Sequence, residues 1–289
     1  MSDDFIRLAV FGKTGAGKTS FVASATGDEL EIGHGADSCT KDVHTSWVKV
    51  SKKTVILYDT PGFDDTDSKD PEIFEKISAW LANSEAHNKR LNGAILVQPI
   101  TDVRAPDSER KRTELFKQIV GTKFYDRVAI VTTMWDQVNQ SFGERNEGNR
   151  IGDDSLWGDM LAGRAKIFRY NQDNSQSALE ILRHFAENPS LSTPASTLFQ
   201  DELRTHKGRL RETAAAKQFE TELGKKVKAL QFSVKTVGNK ANMVKAHIQA
   251  LLTWRSRFKN IIMRIGIGVV ENVEIAHAVL MVVNGCVGM

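Results

Sequence analysis

The first apolar positions of the chain form a short run that leads into a cluster of glycines. Ile6, Leu8, Val10 and Phe11 are too closely grouped for a full helix, and the glycine-rich residues 12–19 follow at once. A short apolar run bounded by turn residues is typical of a buried strand. The pattern therefore predicts a strand, a tight loop and then a helix.

Similar apolar runs recur along the first 190 residues. They predict further strands at residues 43–50, 53–59, 91–97, 126–133 and 166–170. Apolar positions at helical spacing predict amphipathic helices at residues 70–86, 107–120 and 177–187. Residues 137–163, which contain several glycines, are predicted to be mostly loop. Strands that alternate with helices indicate a three-layer α/β/α fold with a mostly parallel central sheet.

The pattern changes after a Pro- and Ser-containing linker, which we place at residues 191–200 after a domain of residues 1–190. From Leu223 to Ile265 apolar residues recur every three or four positions, interrupted at Gly238. This predicts an α-helical extension at residues 201–265, either a helical hairpin or a coiled coil. Residues 266–289 are mostly apolar, and the tail is either an interfacial anchor or a helix packed in the core.

Charge is divided unevenly along the 289 residues. Residues 201–264 carry 15 Lys and Arg against 5 Asp and Glu, although the whole chain has a net charge of only +3. A basic helical segment favours an anionic membrane surface or acidic partners, and no nucleic-acid-binding signature accompanies it. Two cysteines and an acidic N-terminus without a signal-peptide pattern favour a cytoplasmic protein, with peripheral membrane attachment as an option.

The glycine-rich loop carries the strongest chemical signal. The spacing Gly12-x4-Gly17-Lys18-Thr19 fits the phosphate-loop pattern, in which backbone N–H groups surround the phosphates of a nucleotide. Lys18 would contact the β- and γ-phosphates, and the hydroxyl of Thr19 would bind Mg²⁺. The alternative is a chance glycine-rich turn. The predicted nucleotide contacts are Gly12, Lys13, Thr14, Gly15, Ala16, Gly17, Lys18, Thr19 and Ser20.

Two later segments fit the same chemistry. Asp59 ends a buried strand and begins the sequence Asp-Thr-Pro-Gly62, so its carboxylate could hold Mg²⁺ through water while the N–H of Gly62 meets the γ-phosphate. Thr40, in the polar loop of residues 27–42, could bind Mg²⁺ and the γ-phosphate, or the loop is simply solvated. Phe63 follows Gly62, where Ras-like enzymes have a water-orienting glutamine, so we expect slow hydrolysis.

Three residues after other predicted strands complete the candidate site. Arg104 follows the strand at 91–97 and could neutralise phosphate charge, or it is a solvated loop residue. Asp136 could accept hydrogen bonds from guanine, and the side-chain amide of Asn171 could meet the purine. Trp135 either stacks on the base or packs in the core.

These motifs resemble the five-box G domain of translation-factor-class GTPases. The similarity is greatest to the septin-related, immunity-associated (GIMAP/Toc-type) branch, and especially to G-domain proteins numerous in fungi. It spans roughly residues 5–187 and rests on Gly-His-Gly-Ala-Asp-Ser-Cys-Thr, Asp-Thr-Pro-Gly-Phe-Asp-Asp-Thr and Val-Thr-Thr-Met-Trp-Asp.

The resemblance implies roles for single residues. It assigns Asp136 and Asn171 to guanine, and it implies that two G domains pair across their nucleotides, with Arg104 acting in trans. His34 is a second candidate for that role. The usual base-recognition box is altered by Met134 and Trp135, which keeps ATP as an alternative nucleotide.

Three hypotheses follow for the whole chain. The first is a Mg²⁺-dependent protein that hydrolyses GTP to GDP slowly and faster as a homodimer. The second is a membrane-associated scaffold that binds nucleotide with little turnover. The third is an ATPase.

Overall fold

A central β-sheet organises the protein. The computed structural model describes residues 5–27, 43–63, 70–101, 107–171 and 175–236. The strands are β1 Phe5–Gly12, β2 His44–Val50, β3 Lys53–Asp59, β4 Gly93–Pro99, β5 Val128–Thr133 and β6 Lys166–Arg169. They form one six-stranded sheet in the order β2-β3-β1-β4-β5-β6.

All strands except β2 run in the same direction. β2 pairs antiparallel with β3, while the β1–β3, β1–β4, β4–β5 and β5–β6 pairs are parallel. The carboxyl ends of the five parallel strands therefore lie at one edge of the sheet, which is where ligands bind in such folds. The three-layer α/β fold predicted from the sequence is confirmed.

Helices cover both faces of the sheet. Their bounds are α1 Lys18–Thr26, α2 Asp70–Ala86, α3 Asp107–Val120, α4 Gln140–Ile151, α5 Gly158–Ala162, α6 Ser175–Glu187, α7 Leu198–Thr205 and α8 Ala214–Thr236. Because side chains alternate along a strand, β1 contributes to two cores. Leu8 and Val10 pack toward α1 and α6, whereas Ala9 and Phe11 pack toward α2, α3, α7 and α8.

The prediction that residues 137–163 are mostly loop is wrong. This segment contains α4 and α5, and Met160 of α5 is fully buried. Asn139 begins α4 as its N-cap, because its side-chain oxygen accepts a hydrogen bond from the N–H of Phe142 at 2.9 Å.

Helix α4 escaped the sequence pattern because its buried face is polar. The buried side chains are Asn146, Glu147 and Arg150, which break the apolar stripe that normally identifies an amphipathic helix. Gly143 and Gly148 also lie within the helix, and glycine has a low helix propensity. Hydrogen bonds and ion pairs replace apolar packing on this helix.

The segment at residues 191–200, predicted as a linker, lies against the amino end of β4. The Asn92 side chain donates to the carbonyl of Leu191 at 2.8 Å, and Arg127 donates to the carbonyl of Thr193 at 2.8 Å. Asn92 is fully buried, so these bonds are shielded from solvent. They hold this segment on the sheet before α7 begins.

Helix α8 packs across α2 and α3. The rings of Phe74 and Phe219 stack with their centroids 4.7 Å apart, and Lys111 forms an ion pair with Glu222 at 3.2 Å. Residues 237–289 lie outside the described residues, and with them most of the predicted hairpin and the whole apolar tail. Among the described helices, none combines the length and the apolar character needed to span a bilayer.

Candidate functional site

The loop between β1 and α1 wraps around the side chain of Lys18. The ammonium group of Lys18 donates to the carbonyl oxygen of Lys13 at 3.0 Å and to that of Gly12 at 3.3 Å. The side chain is only 7% exposed, so the loop encloses a positive charge. Burial lowers the pKa of Lys18 below its ordinary value, and the nearby carboxylate of Asp59 partly opposes this shift.

Thr19 and Asp59 meet beside this lysine at the carboxyl edge of the sheet. The hydroxyl of Thr19 donates to Oδ2 of Asp59 at 2.8 Å. Burial raises the pKa of Asp59, while the bond from Thr19 and the charges of Lys18 and His44 act in the opposite direction. The other oxygen, Oδ1, is buried and has no hydrogen-bond partner within the described residues.

The turn after Asp59 is fastened to the phosphate loop. Thr60 anchors it to β1, because its hydroxyl and N–H both donate to the carbonyl of Val10, at 2.8 and 3.2 Å. The hydroxyl of Thr14 donates to the carbonyl of Gly62 at 3.1 Å, and its N–H donates to that of Phe63 at 3.2 Å. The two predicted phosphate-binding segments are therefore in direct contact.

Only glycine fits at position 62. A Cβ atom there would lie 2.5 Å from the backbone N of Thr14, 2.7 Å from Nζ of Lys18 and 2.8 Å from the backbone carbon of Lys13. Real Cβ atoms do not approach other atoms so closely, and two of these three neighbours are backbone. The close approach explains the requirement for glycine in the Asp-Thr-Pro-Gly sequence.

Thr133 is a residue of the candidate site that the sequence analysis did not single out. It ends β5, is fully buried, and its hydroxyl donates to the carbonyl of Ala16 at 2.8 Å. This bond joins the strand that leads to Asp136 to the phosphate loop. The available signal was the position of Thr133 in the Thr-Met-Trp-Asp sequence at a strand end.

Asp136 and Asn171 follow two neighbouring strands, β5 and β6, and both are exposed. Met134 has a left-handed backbone with φ of 63°, and this turns the chain out of β5 into the short 3-10 turn Trp135–Gln137. Non-glycine residues seldom adopt that conformation, and outside turns and functional sites it is rare. The turn places Asp136 in solvent at the same sheet edge as the phosphate loop.

Trp135 is half-buried rather than part of the core, so stacking on the base stays a prediction. Its indole N–H donates to the hydroxyl of Thr132 at 2.9 Å. The guanidinium carbon of Arg169 lies over the ring, 4.3 Å from its centroid. The ring is also close to the backbone of Gly143 on α4.

The structure accounts for most of the predicted residues by position. The predicted nucleotide contacts Gly12 to Ser20 form one continuous loop and the start of α1, with Asp59 and Gly62 next to them. Thr40, His34 and Arg104 lie outside the described residues, so their predicted roles stay predictions.

Comparison with known proteins supports the nucleotide site. Residues 7–131 match the family model described as 50S ribosome-binding GTPase. The GTP-binding protein A of Dictyostelium discoideum is 26% identical over 133 residues, which cover 45% of this chain and 28% of that protein. The GTPase Der of Clostridium perfringens is 28% identical over 140 residues, which cover 48% of this chain and 30% of that protein.

The chain thus spans less than a third of the length of these relatives. Among solved structures, Toc33 from Arabidopsis thaliana in complex with Mg²⁺ and GMPPNP has a TM-score of 0.50 at 13% identity. The similarity covers 65% of this chain and 85% of that one, and it concerns the fold. The sheet and the phosphate loop around Lys18 thus have the α/β fold of P-loop GTPases, and residues 7–131 are similar to a GTPase family model.

Proposed function

We propose that the protein binds GTP with Mg²⁺ and hydrolyses it to GDP and phosphate, slowly as a single chain and faster when two G domains pair. The observation that carries the proposal is the enclosed ammonium group of Lys18. Its charge is buried among carbonyl oxygens of Gly12 and Lys13, and burial disfavours the charged form. The phosphates of a bound nucleotide would supply the negative charge that this site requires.

Thr19 and Asp59 fit Mg²⁺. They offer a hydroxyl and a carboxylate, which are oxygen ligands of the kind that Mg²⁺ prefers, and Asp59 has a buried oxygen free of hydrogen bonds within the described residues. Within that same part of the chain, no three His, Cys, Asp or Glu side chains group as a metal site, so phosphate oxygens would complete the coordination. When bound, Mg²⁺ would neutralise charge on the β- and γ-phosphates.

Phe63 supports slow hydrolysis. Its backbone carbonyl accepts a hydrogen bond from Thr14, and its ring packs against the core that contains Phe11. A phenyl group has no hydrogen-bonding atom with which to orient the attacking water. Faster turnover would then need groups outside this turn, for which Arg104 or His34 of a second copy are our candidates.

The first test concerns nucleotide binding. We expect Lys18→Ala to weaken binding of a fluorescent GTP analogue about 10- to 100-fold, the effect of losing a charge-assisted hydrogen bond. Lys49→Ala, which removes an exposed lysine of β2, is the matched control. If Lys18→Ala binds the analogue as tightly as the wild type, the proposal is wrong.

The second test concerns pairing. Light scattering is measured without nucleotide, with GDP and with a non-hydrolysable GTP analogue, and phosphate release is followed over a range of protein concentrations. We expect a dimer only with the analogue and a specific activity that rises with concentration. A constant monomeric mass with concentration-independent turnover would contradict stimulation by pairing.

The contact between α8 and the G domain favours a second candidate, a cytoplasmic scaffold at anionic membranes in which the nucleotide has a structural role. Helix α8 packs on α2, which follows the Asp59–Gly62 turn, and it lies within the predicted basic extension of residues 201–265. Sedimentation with vesicles of anionic lipid tests this candidate. Vesicle binding that is indifferent to nucleotide, with negligible turnover, would favour the scaffold, and absence of vesicle binding would exclude it.

We also propose that the chain belongs to the septin-related, GIMAP/Toc-type branch. The support is the set of sequence motifs around Thr40, Asp59 and Asp136. Competition between GTP and ATP for the site tests the guanine preference that this branch implies, and equal competition would favour an ATPase.

A further inference from the structure

The indole ring of Trp135 connects the two segments that are predicted to bind the base. Trp135 directly precedes Asp136, and the Arg169 guanidinium over its ring belongs to the end of β6, two residues before Asn171. The Trp135–Arg169 contact therefore joins the loop after β5 to the loop after β6. A cation stacked on tryptophan is a favourable and directional interaction.

Helix α4 fixes the orientation of Arg169. The carboxylate of Glu147 accepts two hydrogen bonds at 3.2 Å from Nε of Arg169 and a further one from Nη2. The Glu147 side chain is only 10% exposed, whereas the Arg169 side chain is 46% exposed. The buried carboxylate thus orients a half-exposed arginine, and Glu144 of the same helix forms a further ion pair with it at 3.5 Å.

Gly143, one helical turn before Glu147, allows α4 to approach the indole. A Cβ atom at position 143 would lie 2.5 Å from Cζ3 and 2.9 Å from Cε3 of Trp135. Residues four apart lie on the same face of a helix, so one face of α4 places Gly143 next to Trp135 and Glu147 next to Arg169. The same helix contains Gly148, where an added Cβ would meet no atom within 4 Å.

We propose that Trp135, Arg169, Gly143 and Glu147, here called the indole clamp, are positioning residues that set the selectivity of the site for guanine. The inference rests on the proposed GTP binding. Asp136 is exposed in a short turn, so its position depends on the residues that hold this turn in place. The clamp fixes Trp135, the residue before Asp136. It also connects this turn to the segment that carries Asn171.

Positioning matters because guanine is distinguished by two adjacent donors, the ring N–H and the 2-amino group. A carboxylate discriminates only if both of its oxygens face these donors, and a hydrogen bond to a charged acceptor is stronger than one between neutral groups. Hypoxanthine keeps the ring N–H and lacks the 2-amino group. The preference for GDP over inosine diphosphate therefore reports the position of Asp136.

The experiment compares Gly143→Ala with Gly148→Ala in the full chain. Dissociation constants are measured by calorimetry for GDP, inosine diphosphate and ADP. For Gly143→Ala we expect the GDP preference over inosine diphosphate to fall about tenfold or more. The wild type and Gly148→Ala keep the full preference, and in Gly143→Ala inosine diphosphate, which offers only the ring N–H, loses less affinity than GDP.

Arg169→Gln provides a second variant in case Gly143→Ala does not fold. It removes the cation from an exposed side chain, and we expect a partial loss of the same preference. If both variants retain the wild-type preference, or lose affinity for GDP and inosine diphosphate equally, the clamp is merely structural and the inference is wrong. A wild type that binds ADP as tightly as GDP would instead contradict the proposed function.

Discussion

Arg150 and Glu109 form a two-point ion pair that is almost completely excluded from solvent. Nε and Nη2 of Arg150 donate to the two carboxylate oxygens of Glu109 at 2.8 and 2.9 Å, and the side chains are 2% and 1% exposed. Arg150 lies on α4 and Glu109 on α3, so the pair joins the helix beside Trp135 to the helix on which α8 packs.

This geometry predicts an unequal response to single and double replacement. Glu109→Leu alone leaves a buried cation, and we expect it to lower the free energy of unfolding by about 3–5 kcal/mol. Glu109→Leu combined with Arg150→Met removes both charges and is expected to cost less than either single change. Urea denaturation of the four proteins measures this cycle. Additive effects of the two substitutions would show that the pair is not coupled.

The Arg150–Glu109 pair also shows why the sequence pattern did not predict α4. An apolar stripe predicted α2 and α3 with their correct bounds, because those helices bury Phe74 and Phe116. Helix α4 buries an arginine and an amide instead, and nothing in a hydrophobic pattern marks a charge as buried when its partner is distant in sequence. The ion pair becomes visible only when α3 and α4 are next to each other.

The sequence predicted the phosphate end of the candidate site better than the end formed by the loops after β5 and β6. Phosphate binding follows from glycine spacing, so Lys18 and Asp59 were identified from local sequence alone, and the structure brings them together. The contacts of Thr133 with Ala16 and of Arg169 with Trp135 depend on strand order. Local sequence carries no information on which loops become neighbours at the sheet edge.

The stacked rings of Phe74 and Phe219 predict a stabilising role for α8. Phe219→Ala removes a ring that is 9% exposed, and we expect a loss of about 3 kcal/mol in the free energy of unfolding. Phe219→Leu, which keeps most of the apolar volume, is the control and should cost about 1 kcal/mol. Equal stability of the wild type and Phe219→Ala in urea would mean that α8 contributes little to the domain.

Glu85 predicts a pH-dependent contact between α2 and α7. Burial alone would raise its pKa, but hydrogen bonds and charges from Arg90 and Arg204 outweigh burial and leave the pKa below the ordinary 4.5. A depressed pKa stabilises the fold above pH 4.5, and this contribution is lost as the pH falls through the lower folded-state value. At neutral pH the free energy of unfolding of the wild type should exceed that of Glu85→Gln by at most about 1 kcal/mol, because Arg204 is half exposed.

The measurement is urea denaturation of both proteins over a pH series from neutral into acid, in which we expect the difference in the free energy of unfolding to shrink below pH 4.5 as Glu85 becomes protonated. Glu72→Gln on the same helix is the control, since it removes the same charge at an exposed position. A difference that persists unchanged in acid would show that the arginine contacts do not depend on ionisation.

The close approach at Gly62 predicts how the two candidate phosphate-binding segments respond to one added methyl group. The methyl group of Gly62→Ala would overlap the backbone N of Thr14 and the ammonium of Lys18, so the turn must move away from the loop. If the N–H of Gly62 meets the γ-phosphate, displacement of the turn weakens binding of a non-hydrolysable GTP analogue by about tenfold or more. Binding of GDP, which has no γ-phosphate, is weakened by less. Gly224→Ala, where an added Cβ meets no atom within 4 Å, is the matched control. Equal weakening of both nucleotides would place the effect on Lys18 and the loop, and unchanged affinities would show that the turn can move without consequence for the phosphates.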